Sequence, residues 1–226
     1  PVSINGKLVT TIGQAAFQHA QITSVVIPEG ITTIEEWAFN DNLLTAVDIP
    51  KSVMTIGDYA FCANKLTSIV IPEGITRIAN GVFWLNQLTS VTIPSSVTHI
   101  GSTAFEDNLL ETIKFPSSVT DIGSSAFGKN RLTVLEIPDN VRNISDNAFA
   151  DNNSLVTLVI PDNIFIDRRA FYQGYHFNVT TITIGSTVTL GDDLLGENNN
   201  DFRDVYESAS GGAGVYKKEV PRWVKH

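Results

Sequence analysis

Apolar positions along this chain recur with a period of 22 residues. Phenylalanine stands at Phe17, Phe39, Phe61, Phe83, Phe105, Phe127, Phe149 and Phe171, and isoleucine keeps the same frame at Ile12, Ile34, Ile56, Ile78, Ile100, Ile122, Ile144 and Ile166. Proline follows at Pro28, Pro50, Pro72, Pro94, Pro116, Pro138 and Pro161. The last is displaced by one residue, because Asp151-Asn152-Asn153-Ser154 carries an extra residue that the shortened Ile164-Phe165-Ile166 then cancels. A fixed period of this length marks stacked supersecondary units.

Within one unit, Ile69 and Ile71 alternate with Ser68 and Val70, a period of two that predicts a short strand with one face inward. Pro72 has no N–H to give a ladder and closes the strand, and Glu73-Gly74 supplies a corner, as Ser95-Ser96 does one unit later. Ile75 and Ile78 then return to the core. The Gly-x-x-Ala-Phe segments, as at Gly57 to Phe61 and Gly123 to Phe127, predict a single helical or 3₁₀ turn. One such coil exposes too much apolar edge to stand alone, so the pattern predicts a solenoid in which neighbours bury each other's edges. With strands ~4.8 Å apart, about eight coils span roughly 38 Å. Asparagine recurs at Asn42, Asn64, Asn86, Asn108, Asn130 and Asn152, two positions before the Leu that leads into each strand, or three at Asn152, where the extra residue falls. This column predicts a buried ladder in which the amide uses both its donor and its acceptor on adjacent coils.

The frame Leu/Ile-x-x-Ile/Val-x-Ile-Pro, Val-x-x-Ile-Gly and a closing Ala-Phe resembles the BspA-like class of bacterial leucine-rich repeats, over about residues 9 to 200. The Asn column lies before the strand, unlike the common leucine-rich repeat and typical of this class. The resemblance implies a right-handed, β-rich α/β superhelix with a parallel sheet on its concave face, short helical or 3₁₀ turns and a C-terminal cap. The expected organisation is a solenoid over residues 1–200, with a degenerate first coil at 1–21, followed by a cap over 201–226. In the cap, Phe202, Val205, Tyr206 and Ala209 share one face of a short helix starting at Asn200 or Asp201. Val215, Tyr216 and Trp223 are expected to lie as a ribbon over the open edge.

Composition narrows the function. With 15 Lys+Arg against 24 Asp+Glu the formal charge is −9, and no basic stripe is present to meet phosphates, which argues against nucleic acid as a partner. The 42% hydrophobic content excludes a disordered chain, and no apolar run is long enough for membrane insertion. A charged n-region followed by an apolar h-region is missing at Pro1-Val2-Ser3, so the chain is either cytosolic or has had its signal removed; the second is preferred, and an extracellular, cell-surface or periplasmic location is expected. The single Cys62 has no partner cysteine and reads as a small filler residue. His19, His99, His176 and His226 are scattered without metal-ligand spacing, and Gly211-Gly212-Ala213-Gly214 lacks the Lys of a phosphate loop. No catalytic residue, metal or cofactor is expected.

What remains is surface. Alternation places Ser24, Asp48, Ser68, Val70, Ser90, Thr92, Thr112, Lys114 and Glu136 outward on the concave face, a nearly uncharged track on which a protein could rest. Trp37 and Trp84 break the repeat's own rule and read as exposed aromatic candidates, with Tyr172 and Tyr175 as a smaller patch. The family resemblance implies a non-enzymatic, monomeric protein-binding module, with adhesion to a host or matrix protein as the leading role. A structural spacer in a larger surface protein is the alternative. Recognition of a polysaccharide or ice surface by Thr23, Thr45, Thr67, Thr89 and Thr133 in register is a third reading.

Overall fold

The computed structural model describes residues 3, 4, 6–173, 178–195, 202, 205–207, 211–219 and 222–225. The chain winds as stacked coils, and strands of successive coils pair in parallel, each residue with its equivalent in the next repeat. On the main face, Ser68–Val70 pairs with Ser90–Thr92. Further along, Val134–Glu136, Thr157–Ile160 and Thr181–Ile184 form a second block of the same sheet face. The hairpin Gly214–Glu219 and Arg222–Lys225 adds to that block antiparallel, with Ile182 opposite Tyr216. Segments 24–26, 46–48 and 112–114 follow the same course outside any ladder, so the main sheet is interrupted where the repeat pattern predicts it to run on.

A second sheet is built on the isoleucine column, from strands too short to show alternation in the sequence. Thr11–Ile12, Thr33–Ile34 and Thr55–Ile56 form one parallel block. Arg77–Ile78, His99–Ile100, Asp121–Ile122, Asn143–Ile144, Ile164–Ile166 and Val188–Leu190 form another. The corner between the two sheets is set by the proline. Its carbonyl accepts the N–H three residues on, at 3.0 Å from Val53 to Pro50 and from Ile75 to Pro72, and 3.1 Å from Val97 to Pro94.

The third side corrects the expected helical or 3₁₀ turn. Each Gly-x-x-Ala-Phe segment is a chain of β-turns, with Ala60 N–H bonded to Gly57 O at 3.3 Å and Cys62 N–H to Tyr59 O at 3.1 Å. Two residues per coil stand in the left-handed region: Ala15, Trp37, Tyr59, Gly81, Thr103, Ser125, Asn147 and Arg169 in one column, His19, Asp41, Ala63, Leu85, Asp107, Lys129 and Asp151 in the other. All have φ between 52 and 60°. A 3₁₀ helix needs consecutive negative φ values near −60°, which these positions break. Each non-glycine residue there costs about 1 kcal/mol. The offset is a third intercoil ladder, in which the amides of Tyr59, Phe61 and Ala63 reach the carbonyls of Asn80, Val82 and Trp84 at 2.8, 3.0 and 2.8 Å.

The core fills the space between the three sides. The phenylalanines stack in a column with ring centroids 5.2 to 5.9 Å apart. All are buried except Phe17 at the N-terminal end of the column, which is 43% exposed. The asparagine ladder is present as the sequence predicts. Asn108 Nδ2 donates to Phe83 O at 2.9 Å in the preceding coil and to Phe105 O at 3.2 Å in its own, while its Oδ1 accepts the Leu88 amide at 2.9 Å. The same three partners recur at Asn42, Asn64, Asn86, Asn130 and Asn152. Toward the C-terminal end, Gln173 bonds Asn152 O at 3.0 Å, Phe202 and residues 205–207 are helical, and Tyr206 Oη donates to Gly185 O at 2.9 Å. Phe202 packs its ring 5.2 Å from Trp223 and 5.6 Å from Tyr216. Asn200, Asp201 and Ala209 lie outside the described residues.

Candidate binding face

Ser24, Asp48, Ser68, Val70, Ser90, Thr92, Thr112, Lys114 and Glu136 are all exposed, and between them the inward residues Val47, Ile69 and Leu135 are buried. The alternation that singled them out therefore holds even where no ladder forms. Val70 is 67% exposed and Val26 91%, so the row is not uniformly polar. Four of the candidates are brought together: Asp48, Ser68, Val70 and Thr92 line a groove of about 530 Å³ between segments 46–49 and 68–71. Its walls include the apolar Val47, Ile69 and Ile71, and Lys51 and Glu73 place one charge of each sign at its margin. Ser24, Ser90, Thr112, Lys114 and Glu136 lie along the row outside this groove. The alternation of the row does not mark the groove, which lies where two equivalent segments are unpaired.

The aromatic candidates belong to a different side. Trp37 is 40% exposed, Trp84 is half-buried, and Tyr59, which nothing in the repeat pattern singles out, sits between them. Tyr59 meets Trp37 edge-on at 6.2 Å and Trp84 edge-on at 6.4 Å. Trp84 is therefore not the exposed residue that its place in the repeat predicts, since its ring packs against Tyr59 and its Nε1 is buried without a hydrogen-bond partner. All three lie in the turn ladder, not on the main sheet. Tyr172 is half-buried with the Arg169 guanidinium 5.5 Å from its ring centroid, and Tyr175 lies outside the described residues.

The charged groups serve coil-to-coil contacts. His19 meets Asp41 at 2.7 Å, His99 meets Asp121 at 3.1 Å and Lys129 meets Glu106 at 3.0 Å, each pair joining adjacent coils. Burial alone raises the Asp121 carboxyl, but hydrogen bonds from Thr120 and Asn143 and the nearby His99 outweigh it and hold it below its ordinary value. Burial pushes the Cys62 thiol up to about 11, against a smaller lowering from Asn40 and a further rise from Asp41. Among the described residues, no group of three or more His, Cys, Asp or Glu side chains converges to hold a metal ion. Among them, too, no helix is long and apolar enough to cross a membrane.

A crystal structure of a leucine rich cell surface protein from Faecalibacterium prausnitzii A2-165 is similar over 86% of this chain and 70% of that one, with 24% identity and a TM-score of 0.50. A leucine-rich repeat protein from Bacteroides ovatus ATCC 8483 is similar over 85% and 70%, with 21% identity and a TM-score of 0.44. No curated protein matches the chain. The family model for the BspA type leucine rich repeat region matches residues 2–109 and 84–200, in six copies, over the same coils whose ladders are described above. A 22-residue frame with parallel intercoil strands, stacked phenylalanines and an internal asparagine ladder is how this sequence builds that repeat, and the chain belongs to the BspA type leucine rich repeat family.

Proposed function

We propose that the chain is a non-enzymatic protein-binding module of a bacterial surface protein, with the main-sheet row as its docking track. The observation that carries this reading is the row itself: nine exposed candidates over floor residues that are buried at Val47, Ile69 and Leu135 and half-buried at Val25, Val91 and Ile113, with Asp48, Ser68, Val70 and Thr92 gathered around a groove. A pleated face of this kind offers a partner a flat bed of small side chains and one apolar recess for an anchor residue. Adhesion to a host or extracellular-matrix protein is the role that the row best serves, and family membership supports it by analogy.

The test is capture. The purified chain is passed over immobilised fibronectin, fibrinogen, laminin and a glycan panel at physiological salt. Saturable capture by one protein is expected. Saturable capture by a glycan alone moves the reading to carbohydrate recognition, and silence across the panel leaves a rigid spacer, for which the unbroken asparagine ladder would suffice.

A further inference from the structure

The coils are not joined equally. On the second sheet, the residue following each isoleucine donates its amide to the isoleucine carbonyl of the preceding coil: Gly57 to Ile34 at 2.8 Å, Gly101 to Ile78 at 2.9 Å, Gly123 to Ile100 at 2.9 Å and Ser145 to Ile122 at 3.0 Å. The equivalent bond from Ala79 to Ile56 is missing. So is that from Thr76 to Met54, although Thr98 bonds Thr76 at 3.0 Å and Thr120 bonds Thr98 at 2.8 Å. The second sheet accordingly divides into two blocks between Thr55–Ile56 and Arg77–Ile78. On the main sheet, where 24–26 and 112–114 are also unpaired, 46–48 is unpaired with Ser68–Val70 at this junction beyond the entry bonds from Lys65 to Leu44 at 2.9 Å and Thr67 to Thr45 at 3.4 Å, and the 530 Å³ groove opens there. A depression of about 360 Å³, lined by Thr55, Ile56, Thr76 and Ala79, opens on the second face. The phenylalanine column is widest here as well, at 5.9 Å between Phe61 and Phe83.

One residue accounts for the location. The position before each phenylalanine is Ala16, Ala38, Ala60, Ala104, Ala126, Ala148 and Ala170, with Val82 as the exception in the column. Val82 is buried, at 1% exposure, so its two added methyl groups must be accommodated between coils and not in solvent. Over-packing one point of a stack forces its neighbours apart. A small void lined by Ile56, Ile78, Val82 and Phe83 is left beside it. The turn side stays closed: Tyr59, Phe61 and Ala63 keep their bonds to the next coil, Asn80 Nδ2 donates to Asp58 Oδ2 at 3.0 Å, and the Tyr59 and Trp84 rings meet across the junction.

We infer that the solenoid is jointed between the coil ending in Phe61 and the coil ending in Phe83, held on its turn side and at the entry to the main-sheet segment, and free to open on the second sheet and along Ser68–Val70, with Val82 as the wedge. Opening at this joint sets the width of the main-sheet groove. The joint rests on packing alone; only its consequence for capture rests on the proposed binding role, and the test needs no partner.

Residue-resolved amide hydrogen exchange of the intact chain reads the joint directly. The amides of Ala79 and Thr76 are expected to exchange at least about 100-fold faster than those of Gly101 and Thr98. In Val82→Ala, which restores the column's own residue, that difference is expected to fall below about fivefold. The converse variant, Ala104→Val, should transplant the joint one coil on and speed the Gly101 amide at least about tenfold with the circular-dichroism spectrum unchanged. Protection of Ala79 equal to that of Gly101 in the unaltered chain overturns the joint. A difference that survives Val82→Ala overturns the wedge, whether or not Ala104→Val folds.

Discussion

Replacing Asn108 by alanine tests whether the asparagine column is an internal support or an ornament of the turns. Asn108 is 3% exposed, and its Oδ1 is the partner of the Leu88 amide, which lies in a residue with no exposure. Alanine orphans that N–H at a cost of about 1–3 kcal/mol. The carbonyls of Phe83 and Phe105 each keep a second asparagine, Asn86 at 3.2 Å and Asn130 at 2.9 Å, so they lose a bond without being stranded. Those two losses add about 1 kcal/mol each, for a total of roughly 3–5 kcal/mol. Urea unfolding followed by circular dichroism is the assay, with exposed Asn153→Ala as the control, expected within about 0.5 kcal/mol of the unaltered chain. Asn108→Asp keeps the acceptor but turns an oxygen toward both carbonyls. Its carboxyl is raised in the folded state, so the variant is most stable at low pH and loses stability as pH rises. Equal midpoints for Asn108→Ala and Asn153→Ala would refute the ladder as a source of stability.

Gly81 occupies the left-handed column at φ 57°, and a Cβ there would collide with the Tyr59 ring at Cε1 and Cδ1. Gly81→Ala should therefore lower the melting temperature, and adding Tyr59→Ala should recover part of the loss, as a calorimetric double-mutant cycle would show. With its thiol pushed up to about 11 by burial, Cys62 should be roughly one part in a thousand thiolate at pH 8 and react with an aromatic disulfide reagent far more slowly in buffer than in urea. Similar rates in the two media would contradict its burial. The depressed Asp121 carboxyl contributes stability above its ordinary value near pH 4, lost as pH falls through the lower folded value, so Asp121→Asn should flatten the acid limb of a stability–pH curve.

The parts of this fold that are legible in the sequence are those where one residue type is demanded by its place. Phe39 and its equivalents fill a buried column, Pro72 and its equivalents end a strand, and Asn64 and its equivalents supply a donor and an acceptor to the backbones of adjacent coils. The second sheet was not legible as strands because a strand such as Thr33–Ile34 is two residues long and cannot show alternation. The left-handed columns were hidden for the opposite reason. Trp37, Tyr59, Thr103, Ser125 and Arg169 share no chemistry, and what holds their φ positive is the ladder of the turn side, a property of the stack. Of the candidate site, the outward row followed from alternation, whereas the groove depends on a missing ladder between two segments. The signal that could have located it is Val82, visible in the sequence as a break in the alanine column. Periodicity singles out Trp37 and Trp84 as unusual positions but does not report which side of the coil they face or that Tyr59 packs between them.

The central claim, that partners are held on the main-sheet row, is tested most directly by Ser68→Arg, Ser90→Glu and Thr112→Arg together. Ser68 and Ser90 are opposite one another in register, so alternating signs avoid repulsion between coils while covering the track with bulk. For a protein that the unaltered chain captures saturably, the account predicts loss of binding with an unchanged circular-dichroism melt. Undiminished capture by the folded triple variant would contradict it and place the binding surface on another side of the coils.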